Sequence, residues 1–182
     1  MISIKDKKDC TGCYSCSNIC PHNYITMEID TEGFWYPRVD NTKCTKCGLC
    51  LKVCPIKNKI TIRNIPIAYA CINKNEAVRL ESSSGGIFTL IAEQVIDNGG
   101  IVFGAGFNID NGVEHNYVET KGELYRFRGS KYVQSKTGDT YKQIKDHIKQ
   151  GKEVLFSGTP CQVAGLKLYI GQPYSKLFCI DI

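Results

Sequence analysis

The chain has 182 residues, a formal net charge of +5 and 11 cysteines. This length is enough for one small module and most of a second domain. No apolar run approaches the ~20 residues that a transmembrane helix requires, and residues 1–10 lack the apolar stretch of a signal peptide. Because many cysteines without a secretion signal indicate a reducing compartment, we expect a soluble, cytoplasmic protein with no transmembrane segment.

Two cysteine runs come first in the chain. Three cysteines recur at every third position and a fourth stands before proline, in two near-copies: Cys10-x-x-Cys13-x-x-Cys16-x-x-x-Cys20-Pro21 and Cys44-x-x-Cys47-x-x-Cys50-x-x-x-Cys54-Pro55. The copies are offset by 34 residues, which indicates a unit with pseudo-twofold symmetry. This pattern is typical of bacterial-type ferredoxins with two [4Fe–4S] clusters, in which the fourth cysteine of each run ligates the other cluster.

The spacing assigns four thiolates to each cluster. Cluster I takes Cys10, Cys13, Cys16 and Cys54, and cluster II takes Cys44, Cys47, Cys50 and Cys20. The alternatives are structural zinc, although three cysteines within seven residues would crowd one tetrahedral ion, and disulfides, which need an oxidising compartment. Bound clusters with their thiolates would offset most of the positive charge, so the composition does not indicate nucleic-acid binding. The runs therefore predict a redox protein that transfers single electrons.

The predicted fold class is α+β: a bacterial-type two-cluster ferredoxin module followed by an α/β domain that is incomplete at its C-terminus. In the module, the apolar segment Phe34-Trp35-Tyr36-Pro37 is expected to pack around the clusters. The later elements are predicted, in chain order, as a strand over Ala68–Ile72, a serine-capped helix over Gly85–Asp97 with Ile87, Leu90, Ile91 and Val95 on its apolar face, strands over Ile101–Phe107 and Val113–Thr120, a helix over Thr137–Gln150, a strand over Glu153–Ser157, a helix over Cys161–Ile170 and a strand over Leu177–Ile182.

Three segments outside the cysteine runs carry candidate functional residues. Ser82–Gly86 opens a helix whose free N–H groups favour a phosphate, although serine is also an ordinary helix cap. Arg126–Gln134 offers three cations, two aromatics and a glutamine, which suit an anionic cofactor or a solvated face. Ser157–Gln162 places Cys161 at a helix N-terminus, where a thiol is either activated or simply buried. The three histidines are scattered singly, and the pattern gives them no role.

Three segments that follow the cysteine runs in order, ESSSGGIFTLIAEQVIDNGGIVFGAGF, RGSKYVQS and LFSGTPCQVAGL, resemble one family. It is the beta subunit of coenzyme F-420 hydrogenase/dehydrogenase, which includes F-420H2-oxidising subunits of larger complexes and the plant 7-hydroxymethyl chlorophyll a reductase. The resemblance covers nearly the whole chain. It divides the chain into a ferredoxin-type domain (1–63), the family's N-terminal domain (64–150) and the start of its C-terminal domain (151–182), so we expect a C-terminally truncated chain.

The resemblance implies an iron–sulfur oxidoreductase that contains FAD. Residues that fall on the family's motifs, and would contact the flavin, are Ser83, Ser84, Gly85, Gly86, Lys131, Gln134, Thr159 and Gln162. Cys161 falls on a cysteine that resembles a ligand of a third [4Fe–4S] cluster in a full-length form. The resemblance also implies a hydride-donor coenzyme (F-420H2 or similar) and a redox partner protein or larger oxidoreductase complex. No residue is selected as a catalytic acid or base.

Two other functions remain compatible with the sequence. One is a ferredoxin-like electron carrier with a docking domain and no flavin, and the other is a zinc-binding scaffold. Flavin absorbance distinguishes the first from the flavoenzyme, and metal content distinguishes the second.

Overall fold

The computed structural model describes residues 1–59 and 65–182. The N-terminal part consists of a short 3-10 helix (Lys7–Asp9), helix α1 (Ser15–Ile19), strands β1 (Ile25–Ile29) and β2 (Trp35–Val39), and helix α2 (Leu49–Lys52). The two strands pair antiparallel as a hairpin. Its turn is stabilised by the Asp30 carboxylate, which accepts hydrogen bonds from the backbone N–H groups of Glu32 and Phe34. The cysteine pattern did not predict this hairpin.

The backbone repeats with the same offset as the cysteines. Gly12 and Tyr14 have left-handed φ angles of 62° and 63°, and their equivalents in the second run, Lys46 and Gly48, have φ angles of 56° and 82°. Helices α1 and α2 begin directly after Tyr14 and Gly48. Two left-handed residues per run turn the chain sharply, so each run curls into a loop before its short helix begins.

The rest of the described chain is built on a four-stranded sheet. Its elements are α3 (Glu76–Leu80), α4 (Ile87–Asp97), β3 (Ile101–Phe107), β4 (Val113–Val118), a 3-10 helix (Lys121–Phe127), α5 (Thr140–Lys149), β5 (Val154–Gly158), α6 (Pro160–Ile170) and β6 (Leu177–Asp181). The strand order is β4-β3-β5-β6, with β4 antiparallel to β3 and the other two pairs parallel. Helices and mixed sheets agree with the α+β class.

Both faces of this sheet are covered. Side chains alternate along a strand, so Phe103 and Phe156 face a core shared with α5 and α6, where Tyr141 is fully buried. Val102 and Leu155 face the opposite core, which includes residues of α4 and the second 3-10 helix. The sheet therefore forms the middle of three layers, and the ends of its strands carry the loops that form the site.

The two parts of the molecule are joined through α1, α5 and α6. The hydroxyl of Tyr141 lies 2.8 Å from the carbonyl oxygens of both Cys13 and Gln162. Ser15 Oγ donates to the carbonyl of Gly165 at 3.0 Å. A Cβ atom at Gly165 would stand 3.3 Å from the Cys13 Sγ, so a side chain there would press on the first cysteine loop. The first cysteine loop is thus fixed against the second part of the molecule.

Several predicted elements differ from the structure. Ala68–Ile72 forms no strand, because it has no pairing partner among the described residues and is exposed. Helix α4 begins two residues late, and no serine caps it: its N-cap is Gly86, with φ of 71°. Of the predicted apolar face, Leu90 and Ile91 are exposed and Val95 is buried, and the helix buries Thr89 and Ala92 as well.

The predicted division into 1–63, 64–150 and 151–182 stays a prediction. The boundary between residues 63 and 64 lies outside the described residues. The sheet runs across the boundary between residues 150 and 151, since β3 pairs with β5.

Candidate functional site

The first assigned set of cysteines surrounds a small cavity in the N-terminal part. Cys10, Cys13, Cys16 and Cys54 line it together with apolar side chains such as Ile2, Ile4, Met27 and Ile56. Three of these thiols come from the first loop, and the fourth is delivered by the second run. The structure therefore brings together the four residues that the spacing assigned to cluster I.

The second assigned set surrounds a matching cavity. Cys20, Cys44, Cys47 and Cys50 line it, beside residues that include Pro21, His22 and Lys46. Here three thiols come from the second run and the fourth from the first, which is the reciprocal exchange that the motif requires. No disulfide joins any of the eleven cysteines, all of which lie within the described residues.

The chemistry of both cavities fits a [4Fe–4S] cluster. Within residues 1–59 and 65–182, no three His, Cys, Asp or Glu side chains converge on a point that could hold a single metal ion. A cube differs from one ion because each thiolate binds its own iron, so the thiols must stand apart around a void. Backbone N–H groups point at the sulfur atoms, from Ile2 to Cys50 Sγ at 3.1 Å and from Gly12 to Cys10 Sγ at 3.5 Å.

Burial makes these thiols weak acids in the absence of metal. It raises the pKa of the Cys13 thiol to about 12 and raises the pKa of Cys16 as well. Thiolates at such positions need a compensating positive charge, which iron ions would supply.

A third and much larger cavity, of about 1150 Å³, lies beside the carboxyl end of β5. All the residues assigned to the flavin line it, and so does Cys161; these are Ser83, Ser84, Gly85, Gly86, Lys131, Gln134, Thr159 and Gln162. Three segments far apart in sequence thus meet in one place. This volume is slightly above the range of about 300–1,000 Å³ that is typical of small-molecule and cofactor sites.

Several of these side chains are already engaged by the protein. Gln162 is buried, and its amide donates to Ser135 and Thr137 and accepts from the N–H of Thr159. That is a capping box at the start of α6, which fixes the corner carrying Cys161. Both N–H donors of the Gln162 side chain are therefore engaged within the protein, and the side chain shapes the cavity wall.

Gln134 connects the cavity loop to the ferredoxin loops. Its amide accepts from the N–H of Trp35 at 2.8 Å and donates to the carbonyl of Thr11 at 3.1 Å. A Cβ atom on Gly12 would clash with the same amide. The Gln134 side chain therefore links the two parts of the molecule through hydrogen bonds to the backbone of the N-terminal part.

Lys131 supplies the positive charge in the cavity lining. Its ammonium donates to the carbonyls of Arg128 and Arg126 at 2.8 and 3.3 Å, and burial lowers its pKa. No carboxylate of the described residues pairs with it, whereas Arg128 is paired with Glu81. Lys131 is thus a cation that a phosphate could neutralise. Nearby, Gly86 is the N-cap of α4 and has no side chain, so the N-terminus of this helix is accessible to an anion.

The large cavity and the first cysteine set share a wall. Thr11 lines both cavities. The Cys161 thiol lies 3.1 Å from Thr159 Oγ1 and 4.0 Å from the Thr11 carbonyl, and its charge is among the lesser causes that raise the pKa of Cys10 and Cys13. A group in the large cavity is therefore separated from the first set by very few atoms.

Sequence reasoning missed His115, which also lines the large cavity. Its Nε2 lies 3.1 Å from the Ser157 carbonyl, its ring stacks on Phe156, and burial lowers its pKa to about 4. The contact with a carbonyl places the proton on Nε2. The alternation along β4, where Val113 and His115 both point inward, was the signal that could have found it.

Two cavities lined by reciprocal sets of four cysteines define an iron–sulfur protein that carries two clusters. A family profile described as a 4Fe-4S dicluster domain matches residues 9–58. An uncharacterized ferredoxin of Methanocaldococcus jannaschii is 32% identical over 73 residues, which are 40% of this chain and 92% of that protein. The chain belongs to the 4Fe-4S dicluster ferredoxins through this N-terminal domain, and the role that these similarities support for the domain is iron–sulfur electron transfer.

Longer relatives are matched over a part of their length. NADH-quinone oxidoreductase subunit I 2 of Geobacter metallireducens is 36% identical over 55 residues, 28% of this chain and 42% of the relative. One component of the Na(+)-translocating ferredoxin:NAD(+) oxidoreductase complex of Acetobacterium woodii is 41% identical over 46 residues, 25% of this chain and 13% of the relative. The chain thus spans less than half of each. These matches do not reach the F-420 family, so that resemblance stays a prediction.

A helix that crosses a membrane needs about 20 predominantly apolar residues. In residues 1–59 and 65–182, no helix combines the length and the apolar character needed to cross a membrane.

Proposed function

We propose that the protein is an iron–sulfur flavoprotein oxidoreductase that passes electrons between a hydride-type donor (F-420H2 or similar), FAD in the large cavity, and two [4Fe–4S] clusters. The observation that carries this proposal is the position of Thr11, which lines both the large cavity and the cavity of the first cysteine set, with the Cys161 thiol 4.0 Å from its carbonyl oxygen. A bound flavin would supply the conversion between two-electron and one-electron chemistry, and the clusters would take single electrons.

The chain's own residues bind and orient the cofactor. The backbone at Gly85 and Gly86 and the Lys131 ammonium offer positive ends for phosphate groups. Gly85 cannot carry a side chain, since its Cβ would stand 2.4 Å from the carbonyl of Cys71. Apolar side chains such as Phe127 and Phe88 line the same cavity and suit a flat aromatic ring.

The proposal includes Cys161 as a ligand of a third cluster in a longer form of the protein. Support comes from the position of its thiol, between the large cavity and the first set. We further propose a cytoplasmic protein that works with a redox partner protein or within a larger complex, by analogy with the longer relatives, which are oxidoreductase subunits.

The test is anaerobic purification followed by absorbance and extraction. We expect bands near ~450 nm, and about one FAD per chain released on denaturation. Lys131→Gln should lower the FAD content several-fold, whereas Lys74→Gln, at an exposed lysine outside the cavity, should keep it. Clusters without flavin, even after incubation with FAD, would contradict the flavoenzyme and support the electron carrier.

A further inference from the structure

The two cysteine sets differ in what covers them. The first set lies against α6, with Gly165 beside the Cys13 sulfur, and none of its four cysteines is exposed. Residues of the N-terminal part alone line the cavities of both sets, but Cys47 of the second set is exposed. One set therefore faces the interior of the molecule and the large cavity, and the other faces solvent.

The surface around the second set is positively charged. Residues 41–59 contain five lysines and no aspartate or glutamate. Three exposed lysines lie on the loop and helix that carry the second set, and we call them the lysine collar: Lys43, Lys46 and Lys52. Lys43 is paired with Asp40 at 3.4 Å, whereas Lys46 and Lys52 have no carboxylate within 4 Å among the described residues.

Lys46 occupies a backbone position that suits glycine. Its φ of 56° is left-handed, and the equivalent residue of the first run is Gly12. A side chain in this conformation is sterically disfavoured, because the Cβ atom approaches the following carbonyl oxygen. Strain kept at an exposed position beside a cofactor site points to a use for that side chain.

We propose that the second cysteine set is the outward electron port of this protein, and that the lysine collar docks an acidic face of a partner redox protein. The inference rests on the proposed iron–sulfur function. Opposite charge steers such encounters and orients the partner, and it acts mainly on the association rate. One electron passes between the cluster at the port and the partner's cofactor, and no bond forms or breaks.

A groove next to the port gives the partner's acidic side chains room to enter. This space of about 470 Å³ adjoins the second cavity, with which it shares His22 and Tyr24. Arg38 and Lys43 line it, together with Asp40. Arg38 is paired with Glu28 and Lys43 with Asp40, so the unpaired charge that attracts a partner comes from the rest of the collar.

The test compares two triple variants of the iron-loaded protein. The reduced protein is mixed anaerobically with an oxidised acidic flavodoxin as the probe, and the second-order rate of electron transfer is followed by stopped-flow absorbance. The collar variant is K43Q/K46Q/K52Q. The control variant, K74Q/K121Q/K167Q, removes the same charge from exposed positions elsewhere and also breaks one surface ion pair, that of Lys121 with Asp97.

We expect the collar variant to react ~3–30-fold more slowly than the wild type at low ionic strength. The difference should vanish with added salt, because the Debye length falls from about 30 Å at 0.01 M to about 3 Å at 1 M. The control variant should react like the wild type. Equal rates for the two triple variants at low ionic strength would overturn the proposal.

Small oxidants separate loss of charge from damage to the fold. The collar variant should react more slowly with the anion tris(oxalato)cobaltate(III) and faster with the cation hexaamminecobalt(III), a reversal that a misfolded protein would not show. Slowing with both oxidants would count against the collar. A protein that binds no iron would refute the proposed function itself, whereas an iron-loaded protein with equal rates would refute the docking surface alone.

Discussion

Tyr141→Phe tests whether the first cysteine loop is fixed to the α/β part by the buried hydroxyl. Tyr141 is fully buried, and its single proton serves the carbonyls of Cys13 and Gln162, each 2.8 Å away. Removing the hydroxyl leaves buried acceptors without their donor, at a cost of about 1–3 kcal/mol. The aromatic ring and its packing stay, so the substitution should weaken the contact between the first cysteine loop and the α/β part without disturbing the hydrophobic core.

The assay is anaerobic release of iron to a chelator. If the contact between the first cysteine loop and the α/β part opens and closes faster than the chelator captures iron, the release rate is proportional to the fraction of molecules in which this contact is open. The loss of about 1–3 kcal/mol raises that fraction about 5–150-fold. We expect this acceleration for roughly half of the iron, the cluster held by the first set. Tyr169→Phe is the control, because Tyr169 packs on the same ring and donates to neither carbonyl. Release that matches this control would refute the reasoning.

The other predictions concern single buried positions. Gln162→Leu removes both ends of a buried amide, and should lower the free energy of unfolding by about 1–3 kcal/mol in urea titrations. Burial lowers the pKa of His115 to about 4, so the unfolded chain binds more protons between about pH 4 and 6.5. The His115 contribution to stability should fall by roughly 3 kcal/mol as pH falls through that window. His115→Gln should remove this contribution and leave the slope that comes from His147, whose pKa burial also lowers; exposed His22→Gln should keep the full slope. Gly12→Ala and Gly33→Ala both place alanine at a left-handed φ. A Cβ atom at position 12 would stand 2.3 Å from the Gln134 amide nitrogen, whereas a Cβ atom at position 33 would meet nothing within 4 Å. The thermal midpoint of unfolding should therefore drop further for Gly12→Ala than for Gly33→Ala.

The cysteine sets could be predicted from the sequence because their geometry is local. Three thiols at every third position face one void, and the repeat of left-handed residues at 12, 14, 46 and 48 builds both loops alike. The meeting of the three cavity-lining segments was also predictable, but through a resemblance and not from physical reasoning.

Other features depended on partners that are distant in sequence. The Gln162 side chain donates hydrogen bonds to the hydroxyls of Ser135 and Thr137, and no local sequence pattern predicts these contacts. The apolar run Ala68–Ile72 has strand propensity but finds no neighbouring strand, and tertiary context overrides propensity in such cases. Leu90 and Ile91 satisfy a helical period, yet the sheet packs on the opposite side of α4.

The most direct test of the account is the metal content of the anaerobically reconstituted protein. Two cavities with four thiols each predict about eight irons and about as much acid-labile sulfide per chain. Replacing Cys54 or Cys20 with serine should destabilise different clusters, since these residues belong to the sets of the opposite runs. Zinc in place of iron, or iron without matching sulfide, would contradict the account.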